Sequence, residues 1–204
     1  MRKYLFAAAV VGSVAGTTAT AASLNGEFWD VPANTIASID QAIAQVNGGT
    51  DTPTATFTST AVNYGESPWT IGSLSDFLNA DAGSIVGTDP ANIQESVFRL
   101  TGDVALTTGD TITVTSDDGF RLLVGGSTFS EFNGLRGPGG TTSAVWGGAT
   151  GVYSATLWYF EGNFTQAQLI SNLGDFVAPV PIPAGGLLLL SGIGAVAAMR
   201  RRKG

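Results

Sequence analysis

Residues 111–115 read Thr-Ile-Thr-Val-Thr. This strict alternation places Ile112 and Val114 on one face of a strand and three threonines on the other. The same period returns between Val152 and Phe160, where Tyr153, Ala155, Leu157 and Tyr159 share a face and Trp158 points the opposite way. On that reading one of Trp158 and Tyr159 faces outward. Thr54 to Val62 is rich in strand formers, and Phe120 to Val124 is apolar nearly throughout, the pattern of a strand covered on both sides. Glycine, 28 of 204 residues, is about twice its usual share and fills the connections. Several short strands with glycine-rich joints predict an all-β fold, an antiparallel β-sandwich or barrel. One or two short helices interrupt it. Ile36, Ile39, Ile43 and Val46 recur at helical spacing, with Asn34 placed to cap and Gly48 to terminate. Ser73 to Leu78 reads as a second helical turn, and Gly125 to Gly151 as strands carrying long loops.

Composition removes several chemistries. The chain has no cysteine and no histidine. Disulfides, Ser-His-Asp and Cys-His nucleophile systems and ordinary zinc sites are therefore excluded. A metal would have to be held by oxygen, which points to calcium or magnesium. The formal charge is −7, but it is unevenly placed. Six of the nine basic residues lie in the first three or last five positions, and all sixteen acids lie between Glu27 and Asp175. That middle stretch holds three arginines against sixteen acids, a net −13. No basic cluster is present to meet phosphate, which argues against a nucleic-acid partner.

The two ends read as addresses. Arg2 and Lys3 precede a short apolar run, Leu5 to Val14, and Ala19-Thr20-Ala21 fits a small-x-small exit. Residues 1–22 are expected to be a signal peptide cut by signal peptidase; the alternative is a buried first helix. At the other end, residues 177–183 form a proline-rich linker containing Val180-Pro181-Ile182-Pro183. Residues 184–199 are uncharged and mostly apolar, and residues 200–204 carry Arg200, Arg201, Arg202 and Lys203. As a helix the apolar stretch would span about 24 Å against a hydrocarbon core of about 30 Å, which suits a transient transmembrane anchor. The basic tail would stay cytoplasmic, and the acidic middle would lie outside the inner membrane. This three-part end resembles the PEP-CTERM sorting signal of the VPxPA kind. The resemblance implies a Gram-negative host and recognition by an exosortase at Val180, Pro181, Pro183 and Ala184. It further implies loss of the helix with Arg200, Arg201 and Arg202, and release to the cell surface or extracellular matrix. An ordinary tail anchor is the alternative. Residues 23–176 remain as one β-rich domain.

Within that domain the stretch Thr115-Ser116-Asp117-Asp118-Gly119-Phe120 places two adjacent carboxylates between two strands. Adjacent acids repel unless water or a cation screens them. Locally the stretch reads as a solvated Asp-Asp-Gly hairpin turn; calcium bound by both acids is the alternative.

The wider order includes Leu24-Asn25-Gly26-Glu27-Phe28-Trp29, Phe98-Arg99-Leu100-Thr101-Gly102, the Ser-Asp-Asp-Gly segment and Leu157-Trp158-Tyr159-Phe160-Glu161-Gly162. It resembles the anthrax protective-antigen-like domain, the PA-14 family, over most of residues 24 to 170. That resemblance implies a lectin-like β-sandwich or barrel, often carbohydrate-binding. It implies calcium held by Asp117 and Asp118 across a cis peptide, with sugar hydroxyls completing the coordination. A second loop would add an oxygen from Glu161 or Asn163. Extracellular polysaccharide is the implied partner. Trp146, between glycines, is the tryptophan best placed to stack on sugar; Trp29, Trp69 and Trp158 read more readily as core. The expected function is a non-enzymatic surface or matrix protein. The alternatives are a purely structural matrix protein and a secreted glycosidase built on two of Glu27, Glu66, Glu95, Glu131 and Glu161.

The sorting reading has a direct measurement. The intact mass of the protein recovered from the cell envelope or medium is expected to lack residues 200–204. Retention of Arg200 to Gly204 on the mature protein would count against exosortase handling.

Overall fold

The structure is a computed structural model that describes residues 22–49, 52–65, 67–162 and 165–179. The expected signal segment up to residue 21, Asn163, the sorting motif from Val180, the apolar stretch and the basic tail lie outside the described residues. Among the described residues, no helix is long and apolar enough to cross a membrane.

The strands are β1 (Leu24–Asp30), β2 (Ala55–Ser59), β3 (Asn63–Tyr64), β4 (Val86–Gly87), β5 (Ser96–Leu106) and β6 (Thr111–Asp117). They continue as β7 (Phe120–Val124), β8 (Ser127–Phe132), β9 (Thr141–Val145), β10 (Gly151–Glu161) and β11 (Gln168–Ser171). Two short helices are α1 (Ile39–Gly49) and α2 (Leu74–Leu78). A seven-stranded sheet runs in the order β4-β2-β1-β5-β10-β7-β8, and a four-stranded sheet in the order β3-β11-β6-β9. Every strand pairing is antiparallel. The all-β expectation holds.

The alternation explains the core between the sheets. Ile112 and Val114 of β6 point at Phe98, Leu100 and Val104 of β5 and at Leu157 and Tyr159 of β10, all in one buried cluster. Phe98 lies near its centre, with ring centroids 5.0 Å from Phe28, 5.1 Å from Phe77 and 5.4 Å from Tyr159. Aromatic pairs at such separations add to what burial alone contributes.

The outer face of the large sheet is also covered, which alters three expectations. Helix α1 packs there with Ile39, Ala42 and Val46 on Trp29, Val97, Trp158 and Phe160. Trp158 and Tyr159 are therefore both buried, and neither faces outward. Along β7 only Phe120, Leu122 and Val124 are fully buried; Arg121 and Leu123 are half-buried on the α1 side. The helix begins at Ile39, not beside Asn34. Ser38 Oγ accepts from Gln41 N at 3.3 Å, the geometry of a capping side chain, whereas Asn34 has φ +60°. Ile36 is buried because it packs under the helix, not because it belongs to it. The second helix agrees with expectation, and Ser73 caps it in a reciprocal box with Asp76.

A cross-strand ladder braces this outer face. In register across five strands stand Glu27, Arg99, Trp158, Arg121 and Glu131. The Arg99 guanidinium pairs with Glu27 and lies 5.1 Å from the ring centroids of both Trp29 and Trp158. Arg121 reaches Asp40 of α1 at 2.7 Å and Glu131 at 2.8 Å, pinning the helix to the sheet.

Phe98→Ala is expected to lower stability by about 3–5 kcal/mol in urea unfolding, the usual cost of emptying an aromatic core site. Arg121→Ala breaks only partly exposed ion pairs and is expected to cost about 1 kcal/mol or less. Equal losses for the two variants would contradict the placement of the core.

Candidate metal and ligand site

The Asp-Asp-Gly segment is not a hairpin turn. Strand β6 pairs with β9 and β11, and β7 pairs with β8 and β10. Residues 117–119 therefore carry the chain from the small sheet to the large one, at one end of the sandwich. This corrects the expectation of a solvated turn: Asp117 is 4% exposed and Asp118 1%. The peptide between them is cis. Asp118 N donates to Phe160 O, and Phe160 N donates to Gly119 O at 3.1 Å, so the crossing segment docks against β10. Gly119 has no alternative there. A Cβ would stand 2.6 Å from the carbonyl oxygen of Phe132 and from Phe160 Cε1.

Glu161 arrives at the same corner from the end of β10 and is fully buried. One carboxylate oxygen from each of Asp117, Asp118 and Glu161 lies within 4.8 Å of the others. At such separations each ionised pair repels by about 3–4 kcal/mol at an effective dielectric constant of about 20. Burial, with the Asp118 charge next in weight, pushes the Asp117 carboxyl up to about 7. Burial and then the two aspartates push Glu161 up to about 10. Burial also raises Asp118, opposed by two backbone donors, Gly162 N on Oδ2 and Arg136 N on Oδ1, each at 2.9 Å.

The hydrogen-bond inventory distinguishes these acids from an ordinary buried carboxylate. Asp81, 5% exposed, accepts from Thr60 N, Thr60 Oγ1 and Tyr64 OH and is fully engaged. Glu161 Oε1 is buried with no partner among the described residues. Its Oε2 faces the Tyr159 hydroxyl at 3.1 Å, but that single proton is also directed at the Asp117 carbonyl oxygen. Nor does a salt bridge relieve the trio: none of the three ion pairs among the described residues touches it. Arg136 is the nearest cation, yet its guanidinium donates to Ser116 O, Ser116 Oγ and Thr142 Oγ1 and lies 4.4 Å from the Phe132 ring centroid. The residues present therefore fit a divalent cation: three hard oxygen donors and an orphaned acceptor, with only the charge of Arg136, which forms no ion pair with them, acting on the two aspartates.

Asp117 and Asp118 open into a pocket of about 350 Å³, also lined by Leu135, Arg136, Pro138, Thr165 and Gln166. Of the sequence-predicted residues, the fold brings Asp117, Asp118 and Glu161 together, and Asn163 lies outside the described residues. Trp146 is elsewhere. Its N–H donates to Asp110 O at the start of β6, while Asp117 ends that strand, roughly 20 Å away at the usual rise. Its ring packs on Tyr153 and Phe129, its indole N–H donates to Ala149 O, and Gly148 folds against it. Sequence reasoning missed Arg136, Leu135 and Gly162. A Cβ on Gly162 would lie 2.8 Å from Asp118 Oδ2, so glycine here leaves the room the carboxylate occupies. Only Arg136 carried a usable signal, as one of three arginines in the domain.

No family model and no curated protein sequence matches the chain. Its fold is that of solved PA14 domains. It resembles the PA14 sugar-binding domain of an RTX adhesin with a TM-score of 0.61 and 27% identity, over 74% of this chain and 89% of that one. The PA14 domain of the antifreeze protein MpAFP gives a TM-score of 0.61 at 21% identity, over 78% and 86%. The A domain of epithelial adhesin 6 from Candida glabrata, solved with Galb1-3GlcNAc, gives 0.51 at 15% identity, over 82% and 86%.

The raised carboxyls set a pH dependence. In metal-free protein the folded state keeps protons on Asp117 and Glu161 that the unfolded chain has released, so their contribution to stability is greatest in acid. It falls as pH rises from the ordinary carboxylate range through about 7 and on towards about 10. Thermal melts in chelator are expected to fall between about pH 5 and about pH 8, and saturating calcium to remove that fall, because a bound cation replaces the protons. A melting temperature that rises with pH in chelator would contradict the buried acid trio.

Proposed function

We propose that this chain is a non-enzymatic, exported carbohydrate-binding protein in which Asp117, Asp118 and Glu161 hold calcium beneath a sugar pocket. The carrying observation is the unpartnered, buried Glu161 Oε1 beside two other buried carboxylates. Calcium, when bound, would supply positive charge and open coordination positions for sugar hydroxyls. The chain's own residues do the rest. Asp118 is held in place by Gly162 N and Arg136 N, Asp117 by the pairing of β6 with β11, and Leu135 and Pro138 offer apolar surface at the mouth. The likeness to an adhesin's sugar-binding domain supports the same reading. Glycosidase action is less well supported. The three acids bring one oxygen each within 4.8 Å of the others, an arrangement that suits one shared cation, and the solved structures the chain resembles include the sugar-binding domain of an adhesin. The proposed setting is the cell surface or extracellular matrix, reached through the signal peptide and the exosortase-type tail, with extracellular polysaccharide as partner. Asn163 is a further proposed calcium ligand.

Isothermal titration of the full chain with calcium is expected to give one binding event. Asp117→Asn with Asp118→Asn is expected to abolish it, and Glu161→Gln to weaken it. Because each change removes repulsion, the chelated variants are expected to melt at or above the wild-type temperature, which separates lost binding from lost folding. Equal heats in wild type and variant would sink the calcium claim. On a glycan array, binding that persists unchanged in chelator would sink the calcium-dependent sugar claim.

A further inference from the structure

Residues 133–140 join β8 to β9 and so cross from the large sheet to the small one, as residues 117–119 do. Leu135, Arg136, Gly137 and Pro138 of this connection line the pocket together with Asp117 and Asp118. The connection is tied at both ends. Ile39 N of α1 donates to Asn133 O at 2.8 Å, and Gly139 N donates to Gln168 Oε1 of β11 at 2.7 Å. Arg136 stands between these ties.

Arg136 grips the acid segment from two sides. Its backbone N–H donates to Asp118 Oδ1 at 2.9 Å. Its guanidinium donates from Nε to Ser116 O at 2.9 Å, from Nη2 to Ser116 Oγ at 2.7 Å and from Nη1 to Thr142 Oγ1 at 3.1 Å. Ser116 is fully buried, and its hydroxyl donates in turn to Asp118 O. Hydrogen bonds from one residue therefore fix the residue before Asp117 and the residue after it. A planar guanidinium is suited to such a multiple contact, and a lysine ammonium is not. The side chain is itself held, with Phe132 and Phe120 ring centroids 4.4 and 5.5 Å from its guanidinium carbon. Its stem also needs Gly140, where a Cβ would stand 2.6 Å from Arg136 Cδ.

The charge of Arg136 and its grip have opposite consequences for a bound cation. The charge acts on both aspartates and repels a cation beside them. The grip holds the two ligands in one arrangement, and a preordered donor set binds more tightly than one that must be ordered on binding. We propose that Arg136 is a positioning residue for the cation, clasping the Asp117–Asp118 segment through Ser116, and that this grip outweighs the repulsion of its charge. The role rests on the calcium reading given above.

The sign of the effect tests it. In calcium titration of the full chain, Arg136→Ala is expected to bind about tenfold more weakly than wild type, the low end of the usual effect of residues that orient metal ligands. Arg136→Lys keeps the charge without the fork and is expected to fall between the two. Ser116→Ala is expected to weaken binding, and to cost less when added to Arg136→Ala than alone, because both act through one contact. In amide hydrogen exchange of the chelated protein, the residue-136 N–H is expected to lose protection in Arg136→Ala while β5 and β10 keep theirs, which separates a loosened segment from a lost fold. Tighter calcium binding by Arg136→Ala, or additive losses with Ser116→Ala, would overturn the clasp alone. So would wild-type affinity in Arg136→Lys, even if Arg136→Ala fails to fold. No calcium binding by the wild type would overturn the calcium reading and the clasp with it.

Discussion

Three carboxylates withdrawn from water within 4.8 Å of one another cannot all keep their charge without a counter-ion. The protein has two ways to meet that constraint. It can hold protons, as the raised Asp117 and Glu161 carboxyls indicate, or it can hold a cation. The fold around the trio is consistent with a place kept for the cation. Asp118 is fixed by two backbone N–H groups, Gly119 and Gly162 have no side chains where these would intrude, and Glu161 retains an oxygen with no partner. Asp81 shows how the same chain treats another buried carboxylate: three donors, Thr60 N, Thr60 Oγ1 and Tyr64 OH, are turned onto it.

Strand β10 ties this corner to the core. Its inward series runs Tyr153, Ala155, Leu157, Tyr159 and then Glu161, one residue in two, as the pleat requires. The first four pack in or against the main cluster, and the fifth continues onto the corner of the three buried acids. Tyr159 joins the two environments. Its ring lies among Phe77 and Phe98, and its hydroxyl points at the Asp117 carbonyl oxygen and Glu161. Tyr159 thus links the aromatic core to the acid trio.

What was legible in the sequence follows the same physics. Period-two alternation is local, so the strands and their inward faces were readable from spacing, whereas Glu161, expected on a loop, is the buried last residue of β10. The meaning of Asp117-Asp118-Gly119 was not, because a hairpin and a sheet crossing share the same local residues. The difference lies in which distant strands β6 and β7 join: β9 and β11 for one, β8 and β10 for the other. Trp158 was misplaced for a similar reason. Alternation says which face it occupies, while only the docking of α1 says that this face is covered. Resemblance to PA-14 domains pointed to the two aspartates with Glu161 or Asn163, which composition could narrow only to oxygen chemistry; the structure brings Glu161 to them. Arg136 came to the site through contacts far apart in the chain.

The three arginines of the domain carry the argument one step further. Arg99 is held between Trp29 and Trp158 and paired with Glu27. Arg121 is shared by Asp40 and Glu131. Arg136 is directed at Ser116, Thr142 and the Phe132 ring. Each is engaged in holding an element in place, and none forms an ion pair with Asp117, Asp118 or Glu161. A stretch with a net charge of −13 thus leaves its most crowded acids without an ion pair, with only the nearby charge of Arg136 acting on the two aspartates. Long-range attraction from the remaining acids raises the local concentration of cations at that corner. The scarcity of basic residues, which at first only argued against nucleic acid, is then also what leaves the acid trio without an ion pair among the described residues, the condition on which the proposed calcium reading rests.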